Sequence, residues 1–181
     1  MIRLHDIVFS IIGIILLIPF LIFFLIISWF DTGVPLYIQK RVGLNLKSFN
    51  LIKFRTMKIG TASKGTHLVS KSSITSIGYF FRKYKIDELP QLFNVLIGDM
   101  SIVGPRPCLI NQKKLVFERK KRGIFKVRPG ITGLAQVSGI TMATPTLLAK
   151  TDYKMIKKYN LYNYYFFLYI SLTFLKKILK N

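Results

Sequence analysis

Acidic residues are scarce in this chain. Of its 181 residues, seven are Asp or Glu against 28 Lys or Arg, a formal net charge of +21. A charge of that sign calls for an anionic partner, whether nucleic acid, an anionic bilayer or a phosphorylated substrate. Cysteine is scarcer still. The single Cys108 excludes an internal disulfide, and with only His5 and His67 beside it no cysteine zinc site can be assembled. Any metal would therefore be a hard ion on carboxylate oxygen, with Mg²⁺ the first choice.

Apolar residues, in contrast, make up 51% of the chain. The length suits one domain, or one domain plus an appendage. The appendage is visible as "IVFSIIGIILLIPFLIFFLIISWF", Ile7–Phe30, 24 residues without a charge. As a straight helix it would reach about 36 Å, enough to cross a hydrocarbon core of about 30 Å. Its length and the lack of a small-residue cleavage site argue against a cleaved signal peptide. Pro19 lies mid-run and predicts a kink. Two topologies stay open on these grounds: a kinked span, or a re-entrant hairpin that enters and leaves on one face. Arg3 before the run is offset by Asp6, whereas Lys40, Arg41, Lys47, Lys53 and Arg55 follow it. That asymmetry puts the bulk of the chain on the cytoplasmic side.

Beyond the run, "PLYIQKRVGLNLKSFNLIKFRTM" (35–57) predicts a hairpin around Gly43–Asn45. Alternation places Leu51, Lys53 and Arg55 on one face of its second strand, and Ile52 and Phe54 on the other. Such a basic face is either solvated or a pair of cations aimed at phosphate. Residues 58–76, rich in Ser, Thr, Lys and Gly, read as a mobile loop with His67 at the surface.

Three of the seven acids fall in "KIDELPQLFNVLIGDMSIVGPRP" (85–107): Asp87, Glu88 and Asp99. Asp87 is expected to open a helix with Leu89, Leu92, Phe93 and Leu96 as its buried stripe, Pro90 in its first turn and Gly98 at its end. By itself the acid pair is ordinary helix-start chemistry. Arg106 follows between two prolines that restrict its backbone, which suits a guanidinium holding phosphate in fixed geometry. In "KVRPGITGLAQVSG" (126–139), Arg128 precedes a Pro-Gly pair; the glycines either let amides approach an anion or simply make turns. The tail, 159–180, is crowded with tyrosines and flanked by lysines, and suits an amphipathic helix lying at the membrane interface better than a core helix.

A membrane-seated body, a cationic surface, adjacent carboxylates and fixed arginines point to an anionic, lipid-linked substrate. A carboxylate with an ordinary pKa of about 4 is already ionised at neutral pH and can attack phosphorus without losing a proton. Its obstacle is repulsion by the diphosphate, which Mg²⁺ and convergent Lys and Arg reduce.

The segments "QKRVG", "FNLIKFRTM", "IDELPQLFNVLIGDMSIVGPRP" and "VRPGITGLAQVSG" carry a resemblance. In order and content the chain resembles the bacterial sugar transferases, specifically the small monotopic phosphoglycosyl transferases. The resemblance covers residues 35–140, with the apolar run ahead of them. It implies a predominantly helical α+β fold with an N-terminal re-entrant helix broken at Pro19 (1–34), a catalytic domain (35–158) and an interfacial amphipathic helix (159–181). The reaction it implies is transfer of a sugar-1-phosphate from a UDP-sugar to undecaprenyl phosphate, with release of UMP. Asp87 would be the nucleophile forming an aspartyl phosphosugar intermediate, and Glu88 would help hold Mg²⁺. Lys53, Arg82 and Arg106 match basic residues of the family that contact phosphates; Arg55 and Arg128 are added as candidates from the residues alone. The setting implied is the bacterial inner membrane, catalytic domain on the cytoplasmic face, with an anionic bilayer around it and a homodimer left open.

The sequence departs from the family pattern in places. Ile18 precedes the membrane proline where Ser is frequent, and Ile140 stands where Arg commonly follows "GLAQVSG". Its tail resembles a branch whose members often handle N-acetylated, amino-modified sugars; hexose donors such as galactose or glucose are the alternative. Two readings from other classes compete: a membrane-tethered nucleic-acid binder, and a polyprenol-phosphate scaffold without catalysis. The first leaves the Asp87-Glu88 pair without a purpose, so no nucleic acid is expected.

Overall fold

The structure, a computed structural model, describes residues 1–61 and 70–180. His67 and the middle of the Ser/Thr-rich stretch lie outside the described residues.

The apolar run folds into α1, Ile2–Thr32, which continues as helix through Pro19; the break expected at that proline is not seen, a proline being tolerated inside a long apolar helix. Its buried residues are Asp6, Ser10, Ile14, Leu21 and Ser28, spaced by four or seven and therefore on one stripe. Most of its bulky apolar side chains point outward, among them Ile15, Leu16, Phe23 and Phe30. A polar seam facing protein beneath an apolar outer face inverts the pattern of a soluble helix and fits one bathed in lipid. Among the described residues it is the one helix long and apolar enough to cross a membrane.

Both ends of α1 are tied to the same body. Near its start Arg3 donates to the carbonyls of Val95 and Leu96, and the buried Asp6 accepts from Ser101 Oγ, the Ile102 amide and Tyr164 Oη. Near its end Asp31 accepts from Thr75 Oγ1 at 2.6 Å, and Ser28 donates to the Pro35 carbonyl. Gly33 then takes a left-handed φ of 71° and stops the helix.

The expected hairpin is present. Strand β1, Leu36–Val42, pairs antiparallel with β2, Ser48–Phe54, from Leu36 opposite Phe54 to Val42 opposite Ser48. The turn between them uses positive φ at Asn45 and Leu46. A short strand later in the chain, Cys108–Leu109, adds to the other edge of β1; it is β4 in chain order, after β3, Ser101–Val103. Strand β5, Gly130–Thr132, runs parallel to β3.

The glycines of the 126–139 loop serve this pairing. A Cβ on Gly130 would lie 2.0 Å from the Gly104 nitrogen, so the two backbones touch where only glycine fits. This close approach of two backbones is a third use of the loop's glycines, beside the turns and the anion contact expected from the sequence.

Helix α2, Ser76–Lys83, starts at Thr75, whose side chain accepts from the Gly78 amide. Phe81 of α2 packs with Phe54 and with Phe24 of α1, one of four apolar clusters. The expected helix at Asp87 is displaced. Ile86–Glu88 forms a single 3₁₀ turn, and α3, Gln91–Ile97, begins only after Pro90. Its buried residues are Gln91, Asn94 and Val95, while Phe93 is exposed. The predicted stripe fails because α3 lies between the sheet and α1. Asn94 satisfies the β2 backbone, accepting from the Ile52 amide and donating to the Asn50 carbonyl, and Leu92 meets α1 at Gly13.

Helices α4, Lys113–Lys121, α5, Leu134–Val137, and α6, Pro145–Lys157, close the far side around Cys108, Leu115, Ala135 and Leu148. Helix α7, Leu161–Lys180, buries Tyr164, Phe167 and Ser171 and exposes Tyr162, Phe166 and Tyr169. It is amphipathic, as the tail composition suggests, and packs on Val103, Met155, Ile2 and Phe9 through its buried stripe.

Candidate active site

Four elements converge on the acid pair. Strand β2 delivers Lys53, α2 delivers Arg82, the 3₁₀ turn carries Asp87 and Glu88, and the loop after β3 presents Arg106. Lys85, ahead of the turn, has a left-handed φ of 61°, a conformation few non-glycine residues adopt. Among the described residues no side chain caps this turn or α3, which follows Pro90, so Asp87 is not spent on helix capping. Its carboxylate is 7% exposed. Burial and the neighbouring Glu88 charge push it up to about 6, against the pull of Lys53, Lys85 and Arg82.

Glu88 behaves differently. Burial works against its charge, yet Arg106 beside it holds it below the usual carboxylate range. Arg106 Nη2 lies 2.6 Å from Glu88 Oε1 and its side chain remains 41% exposed, so part of it stays open to solvent. Adjacent carboxylates with separated proton affinities are a familiar arrangement in catalytic sites.

Lys53 is desolvated, which pushes it down to about 8, while the Asp87 charge pulls it back. Its ammonium sits 5.5 Å from the Tyr37 ring centre, and Arg55 covers the same ring at 5.3 Å. Arg82 donates to Thr56 Oγ1 at 2.8 Å.

Three clefts meet here. Lys53, Arg55 and Arg82 line one beside Tyr37; Lys53, Glu88 and Arg106 line a second. The third is a groove of about 680 Å³ that begins at Arg82, Lys85 and Arg106 and continues between apolar residues of α1, α3 and α7, including Leu17, Leu92 and Leu172. Arg128 does not join them. Its Nε donates to the Gly98 carbonyl, and it lines a separate pocket beside Arg3 and Tyr159.

Among the described residues no group of three or more His, Cys, Asp or Glu exists. Among the described residues, Asp87 and Glu88 are the adjacent carboxylates that could hold a divalent ion. That donor set suits Mg²⁺, which binds through one or two carboxylates and completes its shell with water and substrate phosphate.

Sequence reasoning passed over Arg41. It lies within "QKRVG", lines both the first and second clefts, and donates to the Gln39 side chain and the Pro107 carbonyl. Burial pushes its guanidinium down to about 10. In β1, Leu36, Ile38 and Val42 alternate with Tyr37, Gln39 and Arg41, so by its sequence Arg41 belongs to a solvated polar face, whereas the fold buries both Gln39 and Arg41. Arg119 and Asp152 were also passed over, since a buried ion pair between distant helices leaves no local pattern.

The profile of a family described as bacterial sugar transferase matches residues 1–179. The chain belongs to that family. Relatives include a Klebsiella pneumoniae UDP-glucose:undecaprenyl-phosphate glucose-1-phosphate transferase, 37% identical over 80% of this chain and 32% of its own length. A Salmonella typhimurium undecaprenyl-phosphate galactose phosphotransferase is 34% identical over 89% of this chain and 37% of its own. A Bacillus subtilis protein, provisionally named an undecaprenyl-phosphate N-acetylgalactosaminyl 1-phosphate transferase, is 46% identical over 58% of this chain and 60% of its own. The chain thus spans between a third and three fifths of these relatives.

Proposed function

We propose that this sugar transferase moves a sugar-1-phosphate from a UDP-sugar to undecaprenyl phosphate and releases UMP. The observation that carries the proposal is the ionisable Asp87, free of capping duty and ringed by Lys53, Lys85 and Arg82 beside the Glu88–Arg106 pair.

An Asp87 oxygen attacks the phosphorus bearing the sugar, the bond to the bridging oxygen breaks, and UMP departs with that electron pair. An oxygen of the lipid phosphate then attacks the same phosphorus, and Asp87 leaves as the free carboxylate. Lys53, Arg82 and Arg106 neutralise the diphosphate as Asp87 approaches. Asp87 and Glu88 would hold Mg²⁺, which when bound supplies further positive charge beside the phosphates. The apolar groove lined by Leu17, Leu92 and Leu172 suits the isoprenoid tail, with Arg82 and Lys85 at its mouth for the lipid phosphate.

For topology we adopt the re-entrant reading. At one end Arg3 donates to the domain and Asp6 accepts from it, and at the other Asp31 accepts from Thr75 of the same domain, which supports both ends lying on one face of the membrane. A helix spanning about 30 Å of hydrocarbon would part them. The setting is then the cytoplasmic face of a bacterial inner membrane, where the product would begin a surface glycan.

For the donor, the B. subtilis relative supports an N-acetylated sugar, in line with the tail resemblance; the Klebsiella and Salmonella names favour glucose or galactose. Membranes carrying the chain, given undecaprenyl phosphate and a panel of UDP-sugars, are expected to release UMP from one class. Asp87→Asn is expected to release none. Normal turnover by that variant removes Asp87 from the mechanism.

A further inference from the structure

Three consecutive carbonyls in the Pro-Arg-Pro turn are each held by a different part of the fold. Pro105 O accepts from the Gly130 amide at 2.9 Å, Arg106 O from Arg119 Nη1 at 2.7 Å, and Pro107 O from Arg41 Nη1 at 3.0 Å. The Arg106 side chain is thereby left to reach Glu88 from a backbone fixed on three sides.

Arg119 is the costly member of this set. Its side chain is 2% exposed, and that of its partner Asp152 is 1% exposed. Nε and Nη2 both donate to Asp152 Oδ2, at 3.0 and 2.6 Å, while Asp152 Oδ1 is buried with no hydrogen-bond partner among the described residues. Burying an ion pair spends desolvation energy that apolar residues of like volume would not, and an orphaned oxygen adds to the penalty. As a stabilising device the pair is poor. What it does supply is a guanidinium held rigidly by two arms, with its third nitrogen aimed at the backbone of Arg106.

We infer that Arg119, oriented by Asp152, is a positioning residue: it fixes the Arg106 backbone so that its guanidinium meets both Glu88 and the donor's phosphates. This rests on the functional reading above, in which Arg106 contacts those phosphates.

The test uses the full chain in native membranes or bilayer discs, with whichever UDP-sugar the wild type turns over. Arg119→Met/Asp152→Leu removes the ion pair while keeping the volume, so its melting temperature should stay within a few degrees of wild type. Its kcat/KM for donor should fall about 10- to 100-fold, with a clear rise in donor KM. Loss of folded enzyme alone would lower the rate and leave KM unchanged. A double variant with wild-type melting and wild-type donor KM overturns the inference. Should that variant fail to accumulate, Arg119→Lys decides by the same split, since an ammonium cannot fork to Asp152 and Arg106 together. A wild type that releases UMP from no donor defeats the functional reading instead and takes this inference with it.

Discussion

Glu88 and Arg106, eighteen residues apart in the chain, form an ion pair of 2.6 Å where the second cleft meets the apolar groove. Each side chain gives the other its charge state and direction, so neither can be replaced alone without exposing its partner's burial cost. Arg106→Ala should cut UMP release about 100- to 1,000-fold, the range seen when one preorganised electrostatic contact is lost. Arg106→Lys should recover little, because a point charge cannot address Glu88 and phosphate with one planar fork. Steady-state UMP assays check both.

The rate should be bell-shaped in pH. Asp87, pushed up to about 6, is protonated below that value and loses its nucleophilic form, so activity rises with pH through about 6. Lys53, pushed down to about 8, sheds its proton above that value and with it the attraction for phosphate, so activity falls as pH climbs through about 8. The profile of donor kcat/KM at constant Mg²⁺ reads these limbs in the free enzyme. Lys53→Met should flatten the alkaline limb and raise donor KM.

Both ends of α1 should react from the same side of the membrane. Leu4 and Val34 are exposed and flank the buried run, and the native Cys108 is buried. Leu4→Cys and Val34→Cys, each in sealed inverted vesicles, are expected to be labelled alike by a membrane-impermeant maleimide. Labelling of one and protection of the other would establish a span.

Asp6 ties α1 to β3 and α7 through one carboxylate oxygen, which accepts from Ser101, Ile102 and Tyr164. Asp6→Ala leaves three buried donors without their acceptor and should cost about 2–4 kcal/mol. Thermal unfolding in detergent should show it as a lowered melting temperature, whereas Leu4→Ala on the exposed face should leave it near the wild-type value.

Much of this protein was legible from its residues in order. Helix α1 shows as an unbroken apolar run long enough to cross a membrane, the β1–β2 hairpin as alternation around Gly43–Asn45, and the amphipathic tail as tyrosines between lysines; each is a pattern local to one segment. Lys53, Arg82, Glu88 and Arg106 stand out in the sequence as candidates, and the fold gathers them around Asp87. Tertiary structure decided the rest. It moved Asp87 out of a helix start into a separate 3₁₀ turn and turned the apolar face of α3 toward α1. Arg128 it assigned to the Gly98 carbonyl, and Arg41 and Arg119 to the turn that bears Arg106. Periodicity and composition report what a segment needs from its surroundings, because burial and backbone pairing act along the chain. Which distant carbonyl a guanidinium satisfies depends on how the segments are packed, and no local pattern encodes that.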